Sequence, residues 1–254
     1  MDYQVQATQQ TPAYIIYLLD VSASMNQLME AGGEQKRRID VVTDALAAAI
    51  RQMVFRSTKG SRLSPRYRIS ILAYSDHVYD LLGGVKNIDE VARMRPLDNI
   101  QTQRLTNSAK AFSVVERLLQ QELPNLQNCP APLVCHMTDG ASTGEDPEPI
   151  VRRIMEMGVP DGKVLVENIF ISDEILAEPI ANSKKWLGIM PDTMFQEDYG
   201  NKLKSMSSVI PESYREMMIE TGYSIQEGAL MMLPGTSADL VSLGFQMSAA
   251  TPVR

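Results

Sequence analysis

A seven-residue apolar run, Ala13–Leu19 (AYIIYLL), closes on an acid, Asp20, and leads directly into Val21-Ser22-Ala23-Ser24. A run this short and this rich in Ile and Tyr reads as a buried strand, not a helix. It has no polar alternation, so both of its faces need apolar cover, as in a parallel sheet wrapped by helices. The rest of the chain repeats the theme. After a polar loop holding Gly32-Gly33-Glu34, the positions Ile39, Val42, Leu46, Ile50 and Met53 recur every three to four residues and predict an amphipathic helix. Tyr67–Tyr74 (YRISILAY) predicts a second strand. Val78–Val85 (VYDLLGGV) follows so closely that it is expected to fold back antiparallel at the sheet edge.

A loop is expected over 86–105. A helix follows with Ala109, Phe112, Val115, Leu118 and Leu119 on one face, ended by Pro124. Pro132–Met137 reads as a buried strand running into Thr138-Asp139-Gly140, Glu148–Met157 as a helix and Val164–Ile171 as a strand. Leu203–Met218 has helical spacing broken at Pro211. Ala229–Leu233 reads as a last strand, and Ser237 as the N-cap of a closing helix to Met247. The expected fold is therefore α/β: a doubly wound, mostly parallel six-stranded sheet with one antiparallel edge strand and helices on both faces. Residues 1–12 read as a loose lead-in and 13–254 as one domain, with an insertion around 176–200.

Composition removes several functions. The 254 residues carry 24 Lys and Arg against 31 Asp and Glu, and a net charge of −7 without a basic run argues against nucleic-acid binding. No apolar run is long enough to cross a bilayer, which argues against a membrane role. Met1-Asp2-Tyr3-Gln4 shows neither a basic nor an apolar leader region, so a cytoplasmic location is expected. Cys129 and Cys135 fit neither a redox pair nor a zinc knuckle and are expected as reduced thiols.

In an open parallel sheet, ligand sites gather beyond the carboxyl ends of the strands. Asp20 closes the first strand and Asp139 the fourth, and the loop before the second long helix offers Thr106. If the first and fourth strands are neighbours, these segments converge. Asp20 and Asp139 supply carboxylates; Ser22, Ser24 and Thr106 supply hydroxyls. A set of hard oxygen donors without thiol or imidazole suits Mg²⁺ or Mn²⁺ with retained water. Two carboxylates only balance a divalent ion, so a position left to water is a socket for an external Asp or Glu.

The Asp20-Val-Ser-Ala-Ser24 pattern matches in full the DxSxS motif of the metal-ion-dependent adhesion site, and the chain from about 13 to 172 resembles a von Willebrand factor A domain. By that resemblance, Asp20, Ser22, Ser24, Thr106 and Asp139 correspond to the metal ligands. The family's Thr loop is often glycine-rich. Here it reads Asn99-Ile-Gln-Thr102-Gln-Arg-Leu-Thr106, so Thr102 competes with Thr106, which is preferred because it directly precedes the helix. The resemblance to intracellular bacterial members of the tellurium-resistance and stress-response type implies a non-enzymatic interaction module. Its partners would include a protein kinase, a PP2C-type phosphatase or an AAA+ ATPase.

Competing patterns are weaker. Gly140-Ala-Ser142-Thr-Gly144 imitates a nucleophile elbow, but Pro147 and Pro149 follow where a helix should start, and no histidine comes later. A metal-dependent phosphohydrolase using Asp20 would want a second acid where Ser22 stands. His136, inside a strand, is expected to be packed. A structural scaffold with an unused site is the remaining alternative. Met25 beside the motif, and Trp186, Met194 and Phe195 in the 184–200 stretch, are candidate partner-contact residues.

Overall fold

The computed structural model describes residues 3–253 apart from 61, 95, 99, 141, 173, 174, 177 and 179. Six strands form the main path of the sheet: β1 (Ala13–Asp20), β2 (Tyr67–Tyr74), β3 (Val78–Asp80), β4 (Leu133–Thr138), β5 (Leu165–Phe170) and β6 (Met232–Pro234). Their spatial order is β6-β5-β4-β1-β2-β3. All neighbours are parallel except β2 and β3, and a two-residue segment, Lys86–Asn87, also pairs antiparallel with β2. The expected architecture is thus the observed one.

β1 shows why the chain folds this way. Its residues point alternately to two cores. Ile15, Tyr17 and Leu19 pack under α1 (Arg38–Arg56) and α7 (Ala238–Ser248); Tyr14, Ile16 and Leu18 pack under α3 (Ser108–Glu122) and α4 (Glu148–Glu156). Every residue of β1 is buried. At about 1.5–3 kcal/mol for each large apolar side chain removed from water, this central strand anchors both layers. Ser237 caps α7 by accepting the Leu240 N–H.

Several local features depart from the sequence reading. β3 stops at Asp80 because that carboxylate collects the N–H groups of Leu82, Gly83 and Gly84, closing a turn in which both glycines take positive φ. The 86–105 stretch is not all loop: it holds α2 (Ile88–Met94), which buries Ile88 and Val91 against the sheet. The loop after the motif contains a hairpin, Leu28–Ala31 with Glu34–Arg37, turned by Gly32 and Gly33. Pro211 separates α5 (Asp198–Ser205) from α6 (Glu212–Glu220). The lead-in is tied down. Asp161 Oδ1 accepts the N–H groups of Gln4 and Val5, and Ala7 bridges to Val253.

Candidate metal centre

β1 and β4 are hydrogen-bonded neighbours, with Leu19 opposite Met137. Their carboxyl ends therefore deliver Asp20 and Asp139 to the same edge of the sheet. A third segment is drawn in by the backbone: the Gln103 N–H donates to the Val21 carbonyl at 2.6 Å, and Ser22 and Gln103 form a parallel bridge. The Thr106 carbonyl in turn accepts the backbone N–H and the hydroxyl of Thr143, each at 2.8 Å, fixing this loop to the one that follows Asp139.

Within this frame the polar side chains are continuous. Asp20 Oδ1 accepts the Ser22 N–H at 2.8 Å, and Oδ2 accepts the Thr138 hydroxyl at 2.7 Å. The Ser22 and Ser24 hydroxyls lie 3.0 Å apart. Ser24 donates to Asp139 Oδ1 at 2.7 Å, and the Arg38 guanidinium donates to Oδ2 at 3.1 Å. Asp20 and Ser22 are buried, as are Thr106 and the Asp139 side chain. Burial pushes the Asp20 carboxyl up to about 6, against the hydrogen bonds from Thr138 and Ser22 and helped by the charge of Asp139. Two acids are therefore held close together out of water, an arrangement that a cation stabilises.

Among the described residues, no three His, Cys, Asp or Glu side chains gather where they could hold a metal. Any ion at this edge must take hydroxyls as well as carboxylates, and Ser22, Ser24, Asp20 and Asp139 offer that mixture within one hydrogen-bonded cluster. The two threonines are placed differently. Thr102 is half-buried, and its hydroxyl accepts from the Asn26 amide at the rim. Thr106 is buried, directly before the Asn107 cap of α3.

Behind the edge, a polar chain crosses the sheet. Asn168 Nδ2 donates to the Ser207 hydroxyl at 2.9 Å and to the Met206 carbonyl at 3.1 Å, so its Oδ1 faces His136 as an acceptor. His136 Nδ1 must then carry the proton, and Nε2 accepts from the Tyr74 hydroxyl at 2.7 Å. Burial pushes His136 down to about 4. It is a packed, neutral histidine whose ring meets Phe112 edge-on. Ser142, of the elbow-like motif, is a loop tie: its hydroxyl donates to the Thr106 carbonyl and accepts the Ser108 and Gly144 N–H groups. Both cysteines are free and buried.

The expected partner-contact residues do not act together. Met25 is fully buried beneath α1, and Phe195 is 7% exposed, because both fill apolar cores; neither offers itself to a partner. Trp186 is half-buried against both cores, while Met194 is 78% exposed. Sequence reasoning also missed Arg38 and Thr138. Arg38 carried a faint signal, since a basic first residue opposes a helix dipole. Thr138 carried none beyond its place beside Asp139.

The comparisons with known proteins agree with this geometry. The model of the von Willebrand factor type A domain matches residues 15–141, from within β1 to just past Asp139. The chain belongs to the von Willebrand factor type A family. No curated protein matches it. Among solved structures, proximal thread matrix protein 1 from the mussel byssus, with a zinc-occupied metal-ion-dependent adhesion site, aligns at a TM-score of 0.54 and 14% identity, over 94% of this chain and 48% of that one. This A-domain chain thus spans about half the length of the mussel protein. BatB from Bacteroides thetaiotaomicron aligns at 0.51 and 12% identity, over 94% and 98% of the two chains. The D319A mutant of the PilB minor pilin from Streptococcus sanguinis aligns at 0.54 and 11%, over 94% and 62%. At such identities the likeness shows the fold alone. No described helix is long and apolar enough to cross a membrane.

Proposed function

We propose that this chain is a metal-dependent protein-interaction module. Asp20, Ser22, Ser24, Thr106 and Asp139 hold Mg²⁺ or Mn²⁺, and a coordination position left to water takes an Asp or Glu side chain from a partner. The observation that carries the reading is the unbroken Ser22–Ser24–Asp139 hydrogen-bonded cluster at the end of two adjacent parallel strands. The mussel relative, whose corresponding motif is described as zinc-occupied, supports a divalent ion at such a site.

The donor chemistry favours binding over turnover. Each Asp20 oxygen accepts one hydrogen bond, from the Ser22 N–H and the Thr138 hydroxyl, which holds the carboxylate in one orientation and leaves each oxygen a lone pair for an ion. We read the chain as a non-enzymatic adaptor of the bacterial cytoplasm. It serves a stress-response or signalling system in which a protein kinase, a PP2C-type phosphatase or an AAA+ ATPase supplies the acidic side chain. Capture from native lysate with and without Mg²⁺ tests this. The retained protein should be released by EDTA and absent with Ser22→Ala. Capture indifferent to both would refute the metal-dependent reading.

A further inference from the structure

The sheet-facing side of α1 carries Ile39, Val42, Leu46 and Met53, all buried. Its next face is only partly covered. There Ala47, Ile50 and Val54 look across at Val91, Pro96 and Leu97, and the two sets line an open groove of about 420 Å³. The wall opposite α1 is low because α2 is only seven residues long and stops two residues before Pro96. Two charged side chains stand on the groove, Arg51 on the α1 side and Asp98 on the other. Both are exposed, and neither side chain has a hydrogen-bond or ion-pair partner among the described residues. Beside them, Phe55, one turn after Arg51, is 79% exposed, and Met94, next to Val91 on α2, is 44% exposed. An apolar strip bordered by unpaired charges is the composition of an interface.

We propose that this groove docks an amphipathic helix of a partner protein, with an apolar stripe in the groove, an acidic flank toward Arg51 and a basic flank toward Asp98. The volume takes several apolar side chains at once, as the i, i+3, i+4 and i+7 positions of a helix supply them. The two signs of charge decide the occupant. An anionic bilayer attracted by Arg51 would be repelled by Asp98, and a fatty-acid-like anion would answer one charge and not the other. A helix presents two different flanks at the same time. The surface is separate from the metal edge: Arg51 lies about 20 Å along α1 from Arg38, at 1.5 Å per residue, and it is Arg38 that reaches Asp139. The chain thus offers a second contact that needs no ion and holds whether or not the metal reading does.

The probe is a fluorescein-labelled helical peptide of about 16 residues with Leu along one stripe, Glu on one flank and Lys on the other. Its binding to the whole chain is read by anisotropy in EDTA, so that the metal edge plays no part. The wild type should bind it with a Kd of about 10–100 µM, and a scrambled peptide of the same composition at least about tenfold more weakly. Arg51→Glu and Asp98→Lys should each weaken binding at least about threefold, because each leaves like charges on both rims. The double variant exchanges the two charges. The helix can then lie in the reverse direction, and affinity should return to within about twofold of the wild type. Structural damage would accumulate in the double variant instead, and circular dichroism checks that each exposed substitution leaves the chain folded. No saturable binding by the wild type, equal binding of the scrambled peptide, or a double variant no tighter than the single ones overturns the proposal. Co-sedimentation with phosphatidylglycerol vesicles in the absence of peptide binding also overturns it and gives the surface to a membrane.

Discussion

Asp20 and Asp139, at the carboxyl edge of the sheet, contrast with Glu167, in the middle of β5. All three side chains are buried. The edge acids are surrounded by donors: a backbone N–H, two hydroxyls and a guanidinium. Among the described residues, neither Glu167 oxygen meets an N–H or O–H donor, and the thiol of its register neighbour Cys135 is the polar group beside it. Burial drives its carboxyl well above the usual range, against a lowering influence of the Cys135 thiol. One sheet thus treats the same chemical group in two ways. Donors that favour the charged form collect at the edge proposed to meet a cation, and they are withheld from the middle of the sheet.

The contrast can be broken experimentally, beginning with the largest effect. Saturating Mg²⁺ should raise the melting temperature of the wild type, since a ligand at about 100 times its Kd contributes about 2.7 kcal/mol. Glu167→Gln should keep that increment and Asp139→Asn should lose it. An increment lost in Glu167→Gln would mean that the two regions are one system.

His136 gives a second test by pH. Its folded value of about 4 lies below the unfolded 6.5. The stability it contributes is complete above pH 6.5 and is lost as pH falls toward 4, by about 3 kcal/mol in urea titrations. A His136→Gln chain should show a correspondingly flatter profile. An unchanged slope would contradict the buried neutral tautomer.

Glu167 carries the opposite sign. Its raised folded value makes its contribution complete below pH 4.5 and erodes it as pH rises. Glu167→Gln should therefore gain on the wild type in melting temperature as pH rises above 4.5. A gap that stays constant with pH would show that burial does not raise this carboxyl.

The smallest expected effect separates the threonines. Thr106→Ala should weaken Mn²⁺ binding about tenfold and Thr102→Ala by less than about twofold. The reverse pattern would transfer the ligand role to the rim.

Much of this was legible in the sequence because burial on both faces leaves a clear trace. The apolar runs of β1, β2, β4 and β5 were readable, and so was the acid that ends β1. The helices on either side of Pro211 were separable because proline breaks a helix. Elements held by local polar chemistry were not. The Leu28–Arg37 hairpin has almost no apolar face, being exposed at most positions. The Asp80 turn shortens β3 by side-chain hydrogen bonds that no periodicity announces. At the site, DxSxS was visible as a contiguous motif, whereas Arg38 joins it only across the fold, 101 positions from its partner Asp139. Met25 and Phe195 were misplaced because a large apolar side chain beside a site reads the same whether it faces a partner or the core.

The most direct test of the account is a calorimetric titration of the chelator-treated chain with Mg²⁺ and Mn²⁺, repeated on Asp20→Asn. The account predicts one saturable site per chain in the wild type and, in a variant that still unfolds cooperatively, a loss of at least about 100-fold in affinity, roughly 2.7 kcal/mol. Equal affinity in the two proteins, or no saturable uptake by the wild type, would contradict it.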